Sequence, residues 1–181
     1  MKKLFLFIIP LLCLFVLTFT SCNNDDDDAP TDPIDQLPPM TQTGENTFGC
    51  LVNGKLFVVT NNTKQVAVYQ GGGLSIGGEK DLNGFFSEVS MFISETSIGE
   101  MIIENENYIL NNNSLMKGQY YNDEENCFYF TNQSHTGFLK ITKLDKINFI
   151  VSGSFEFQSV SEDCTDSIKI TDGRFDLKYI S

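Results

Sequence analysis

The stretch Thr47-Phe48-Gly49-Cys50-Leu51-Val52-Asn53-Gly54-Lys55-Leu56-Phe57-Val58-Val59-Thr60 leaves this chain few ways to fold. Asn-Gly supplies both positive φ angles of a type I′ turn, whose twist suits a two-residue hairpin. With Asn53-Gly54 at the turn, Val52 pairs with Lys55 and the pairs run outward from there. Cys50 then faces Phe57, and Phe48 faces Val59, on one side of the sheet. Leu51 with Leu56 and Gly49 with Val58 take the other side. Cys50 is read as a packed small apolar residue, with disulfide pairing as the other option.

A second hairpin is expected at the far end, in Ser167 to Tyr179, with Asp172-Gly173 as its turn. Ile170 would meet Phe175 and Ile168 would meet Leu177, while Lys169, Arg174, Asp176 and Lys178 face water. Strand-like runs lie between the two: Gln65 to Gln70, Phe85 to Ser94, Gly118 to Tyr121, Cys127 to Thr131 and Phe138 to Leu144. In Ile147 to Phe157, the residues Ile147, Phe149, Val151, Phe155 and Phe157 share one face, the pattern of a half-buried antiparallel strand. Helical candidates, near Ser97 to Glu106 and at Leu115, are short and interrupted. The expected fold is all-β, an antiparallel β-sandwich or barrel of roughly nine to eleven strands.

All five prolines lie at or before Pro39 and all fourteen glycines at or after Gly44. That break separates a tether, residues 22–42, from a β-rich domain, residues 43–181. Met1-Lys2-Lys3 followed by the apolar run Leu4 to Phe19 reads as a secretory signal over residues 1–21; with Pro10 inside it, the run is a poor spanning helix. The junction Phe19-Thr20-Ser21-Cys22 resembles a bacterial lipobox, with Phe19 where Leu is usual. The resemblance implies a lipid on Cys22. The run Asn23-Asn24-Asp25-Asp26-Asp27-Asp28 resembles the acidic export signal of bacteroidete surface lipoproteins; the other reading is a solvated acidic spacer. The first reading implies an outer-membrane, lipid-anchored location facing the extracellular side.

Removing residues 1–21 leaves 160 residues, and the loss of Lys2 and Lys3 takes the formal charge from −12 to −14. This balance argues against nucleic-acid binding and against electrostatic docking on anionic lipid; the membrane is met through the anchor. With Cys13 in the signal and Cys22 lipidated, Cys50, Cys127 and Cys164 remain, and they allow one intramolecular bridge. Cys127 with Cys164 is the candidate pair, closing a loop of about 38 residues for about 4 kcal/mol in the chain-entropy estimate.

Catalytic motifs are wanting. His135 is the single histidine and sits in a polar loop, and Gly-x-Ser-x-Gly does not occur. One histidine and three widely spaced cysteines make no zinc motif. Gly71 to Lys80 fails as a phosphate loop, because Glu79 follows Gly78 where Lys is required. It is read as a hairpin connection or a bulged strand. Paired carboxylates for glycan hydrolysis could come from Glu88, Glu95, Glu100, Glu104 or Glu156. In the absence of Trp, Tyr69, Tyr108, Tyr120, Tyr121 and Tyr129 are the available stacking tyrosines. Asp123-Glu124-Glu125 lacks calcium spacing. Asp166-Ser167-Ile168 resembles an Asp-Ser/Thr-apolar O-glycosylation site, which would place the sugar on Ser167.

Three stretches carry a wider resemblance: Leu37 to Gly54 with its Thr-Gln-Thr-Gly-Glu-Asn-Thr-Phe-Gly-Cys core, Val151 to Phe157, and Ile170 to Asp176. Through them the chain resembles a bacteroidete lipoprotein family of unknown function. That resemblance implies a β-rich, lipid-anchored domain and brings no activity, cofactor or catalytic residue. The expected function is non-enzymatic, a binding or envelope role toward glycan or protein at the cell surface, marked by an exposed aromatic patch. The alternatives are a carrier of a small apolar ligand inside a β-barrel and a carboxylate-dependent glycan hydrolase.

Overall fold

Asn53 and Gly54, at φ 49° and 77°, turn Thr47–Val52 (β1) back onto Lys55–Val59 (β2), with Phe48 opposite Val59 and Cys50 opposite Phe57 as expected. The structure is a computed structural model and describes residues 32–82, 84–112, 114–164 and 167–181. Gln65–Gln70 (β3), Gly73–Leu82 (β4) and Phe85–Ser94 (β5) form an antiparallel meander. A single helical turn, Glu95–Ile98 (α1), follows. The remaining strands are Glu106–Leu110 (β6), Met116–Asn122 (β7), Cys127–Phe130 (β8), Gly137–Asp145 (β9), Ile150–Val160 (β10) and Ser167–Lys178 (β11).

Among the described residues the eleven strands belong to one open sheet in the order β2-β1-β11-β10-β8-β7-β5-β4-β3, with β9 on β10 and β6 on β9. Strand β10 is the fork. Its first eight residues, Ile150 to Phe157, pair with β9, and only Val160 reaches β8. The sheet folds over there, so that its two halves face each other across one apolar core. Glycines mark the closest approach: a Cβ on Gly78 of β4 would lie 2.7 Å from the Phe48 ring, and one on Gly118 of β7 would lie 2.7 Å from the Phe157 ring. At the opposite corner the chain end returns to β3, where Ile180 N donates to Ala67 O at 3.0 Å and Tyr69 N to Ile180 O at 2.8 Å.

Three expectations need correction. Asp172-Gly173 is not a hairpin turn. β11 runs straight through it, and Asp172, at φ 56°, supplies the extra residue of a β-bulge against both β1 and β10. An Asp-Gly pair serves a bulge as well as a turn, because both need a positive φ. The strand expected from Ile147 begins only at Ile150; Asp145 Oδ1 accepts from Ile147 N and Asn148 N, both at 2.9 Å, and closes a turn that leaves Ile147 86% exposed. Asp176 does not face water: it is fully buried.

What buries Asp176 is the segment expected to be tether. Residues from Asp32 onward belong to the compact unit. Asp32 caps a 3₁₀ turn, Pro33–Gln36, Leu37 is buried, and the segment then crosses the outside of β1, β11 and β10. Pro38 lies over Gly49 with no room for a Cβ between them. The Asp176 carboxylate accepts from Thr41 Oγ1 (2.7 Å), Thr43 N (3.0 Å), Gly44 N (2.9 Å), Glu45 N (3.1 Å) and Ser152 Oγ (2.7 Å). Burial works to raise its pKa, but the bonds from Ser152, Thr41 and the Glu45 and Gly44 amides outweigh it and hold the carboxyl below the usual range.

Candidate functional site

The strand registers lay one row of residues across five strands: Val66 on β3, Gly77 on β4, Ser90 on β5, Gln119 on β7 and Phe130 on β8. The next row on the same face is Glu79, Glu88, Tyr121 and Phe128. Side chains alternate along a strand. The intervening residues Ile76, Val89, Met91, Tyr120 and Tyr129 fill the core, so both rows face outward. The middle of the first row is small. A Cβ on Gly77 would stand 2.9 Å from Ser90 Cβ and 3.0 Å from Val89 O, so the floor stays low. The result is an open groove of about 830 Å³, flanked by Lys64, Phe92 and Lys117.

An aromatic ladder continues the outer face beside the groove, where Phe130 neighbours Gln119; its Phe128 and Phe130 line a separate hollow of about 450 Å³. Phe86 and Tyr121 have ring centroids 5.3 Å apart, and Tyr121 and Phe128 stack at 4.2 Å. Phe128 and Phe130 follow at 6.2 Å, with ring planes only 4° apart. Phe128 is 47% exposed, and Lys117 Nζ sits 5.5 Å from the Phe130 centroid, a cation–π distance. Burial pushes the Tyr121 phenol up, and the neighbouring Asp123 adds to the shift. On the far wall Lys64 Nζ donates to Glu79 (2.6 Å) and Asp81 (2.9 Å), and the bonds to Glu79 and then Asp81 raise its pKa. Lys64 thereby offsets the repulsion between Glu79 and Glu88, which stand directly opposite across β4 and β5.

Of the carboxylates singled out in the sequence, only Glu88 lines this groove. Glu95 accepts from the Tyr69 hydroxyl and from Ile102 N; these bonds, Tyr69 first, hold its carboxyl below the ordinary value. Burial and then Glu95 push the Tyr69 phenol up. Glu104 accepts from Leu144 N at 2.8 Å, and Glu100 and Glu156 are exposed elsewhere. Of the five tyrosines, Tyr121 belongs to the ladder, whereas Tyr108, Tyr120 and Tyr129 point into the core. His135 sits in an Asn132-capped loop. Gly71 and Gly72, at φ 59° and 74°, form the β3–β4 turn, so the glycine run opens an antiparallel strand rather than a helix.

The structure joins Cys127 to Cys164, pinning the start of β8 to the loop before β11, with Cα atoms 6.3 Å apart. Cys50 is a free, buried thiol whose pKa burial raises. Ser167 is exposed as the first residue of β11; Asp166, like Cys22 and the whole signal and acidic run, lies outside the described residues. Among the described residues no cluster of three or more His, Cys, Asp or Glu side chains is placed to hold a metal. Gly77, Ser90, Gln119, Phe128 and Phe130 were not singled out in the sequence. Alternation in Glu88-Val89-Ser90-Met91-Phe92 announces an outward face, but not which strands adjoin it.

Residues 45–176 match a family described as a domain of unknown function, DUF6252, and the chain belongs to that family. No curated protein and no solved structure matches it.

Proposed function

We propose that this DUF6252 chain is a non-enzymatic binding domain, held in the outer membrane by lipid on Cys22, displayed on the extracellular side, and meeting its ligand on the outer face of β4, β5, β7 and β8. The address rests on the signal-like start, the Thr20-Ser21-Cys22 junction and the acidic run after it. The binding role rests on one observation: an open groove of about 830 Å³ with an aromatic ladder beside it, of which Phe128 is exposed. Isolated exposed apolar residues are ordinary, but contiguous aromatics beside a concavity mark interaction sites.

Carriage of a small apolar ligand has one specific support. A hollow of about 610 Å³ opens between the two halves of the sheet, lined by Phe57, Tyr120, Tyr129 and Ile168. It lies at the end of the sheet rather than within it, and the groove is the larger of the two.

A photo-crosslinking residue at position 128, introduced in the native host, tests the main reading. Adducts at 128 but not at Ile109, exposed on β6, are expected on intact cells. Equal yields at both positions, or protection of the protein from protease added outside the cell, would refute it.

A further inference from the structure

We infer that the outer groove takes a linear, uncharged glycan, with sugar rings lying against Phe128 and Phe130 and hydroxyls met by Glu88, Ser90 and Gln119; this rests on the outer face being the binding surface. The groove-lining part of the row, Val66 to Gln119, crosses four strands, about 14 Å at the ordinary strand spacing, and Phe130 beside it extends the row to about 19 Å. That is the shape of a trough for a chain, not of a pit for one small molecule. Phe128 and Phe130 hold their ring planes parallel, and the 47% exposed Phe128 offers aromatic surface to the C–H groups of pyranose rings.

Glu88 and Ser90 are free to recognise hydroxyls, while Gln119 Oε1 accepts from Lys117 Nζ at 3.3 Å and its NH₂ remains to donate. Among the described residues no side-chain hydrogen bond or ion pair engages Glu88, Ser90 or Ser75. A carboxylate accepts from two adjacent hydroxyls, and a serine or amide can both donate and accept. A protein partner would find the wrong centre here. Interfaces between proteins concentrate apolar and aromatic side chains in the middle and charge at the rim, whereas this groove has Gly77, Ser90 and Glu88 in its middle. Charge decides against polyanions. The chain carries −12, Lys64 is bound to Glu79 and Asp81, and among the groove-lining side chains Lys64 and Lys117 are balanced by Glu79 and Glu88.

The test uses the lipidated full chain, purified from its host in detergent, on an array of uncharged oligosaccharides and polysaccharides such as dextran and mannan, with dextran sulfate as the anionic control. Binding to at least one uncharged glycan is expected. Phe128→Ala should weaken it about 2- to 12-fold, Ser90→Leu should abolish it by filling the floor, and Ile109→Ala should leave it unchanged. Phe128 is exposed, so its variant stays informative even where Ser90→Leu disturbs folding. Binding confined to dextran sulfate, binding indifferent to Phe128, or no binding at all overturns the glycan assignment. If crosslinks at position 128 persist on cells in that case, the outer face remains the binding surface and its occupant is a protein. If they are also absent, both readings fall together.

Discussion

Replacing Asp176 by Asn would remove half of the acceptor that holds the N-terminal strap. In the native structure Oδ2 accepts from Thr41 Oγ1, Thr43 N and Glu45 N, and Oδ1 accepts from Gly44 N and Ser152 Oγ. An asparagine does best with its carbonyl at the three-donor position, which puts its NH₂ where Oδ1 was. The Ser152 hydroxyl can rotate to accept from that NH₂; the Gly44 N–H cannot, and is left buried and unpaired. One orphaned donor costs about 1–3 kcal/mol, and the surviving bonds lose their charge assistance, so the total is about 2–4 kcal/mol. For a chain of this size that lowers Tm by about 5–15 °C. Thermal unfolding of residues 32–181 measures it, with amide exchange at Gly44 as the local readout. A variant melting within a degree of the parent, with Gly44 still protected, would refute the assignment of Asp176 as the strap's anchor. The same carboxyl sets a pH dependence. Its folded pKa lies below the unfolded value of about 3.9, so its contribution is complete above that value and is lost as pH falls through the folded pKa. Asp176→Asn should flatten that acid limb.

Replacing both Cys127 and Cys164 by Ser should cost about 4 kcal/mol by the chain-entropy estimate, read by denaturant titration against the oxidised parent. Asp172→Val places a β-branched residue at φ 56° and should cost about 1–3 kcal/mol, whereas Asp172→Gly should be near neutral; equal losses would argue against the bulge. Gly78→Ala pushes a methyl into the Phe48 ring and should destabilise by about 1–3 kcal/mol in the same assay. The Cys50 thiol, raised in pKa by burial, should resist alkylation at pH 8 in the native state and react once the chain is unfolded.

Local pattern carried the strands well and their neighbours poorly. Asn53-Gly54 fixed both the hairpin and its register, since one turn type and alternating apolar residues agree there. Gln65–Gln70 and Phe85–Ser94 were readable to the residue for the same reason. Asp172-Gly173 was misread because a single positive φ suits a turn or a bulge, and only the flanking strands decide. That misreading left Asp176 in water, although its real partners lie more than 130 positions away at Thr41 to Glu45. The groove was illegible for a similar reason. Gly77, Ser90, Gln119 and Phe130 come from four separate strands, and nothing local says that they line up.

The strap also bears on the proposed anchor at Cys22. Residues from Asp32 onward are docked on the fold, so a lipid on Cys22, if attached as proposed, would have nine residues of sequence, 23–31, as its leash. Nine residues reach about 30 Å fully extended, against about 65 Å for a tether of twenty. The volume a flexible leash lets a domain sweep grows as about the 3/2 power of its length, so the shorter one confines it about threefold more tightly. Its effective concentration toward anything fixed in the same membrane rises by the same factor. An undocked strap, as in Asp176→Asn, would loosen that confinement without altering the groove.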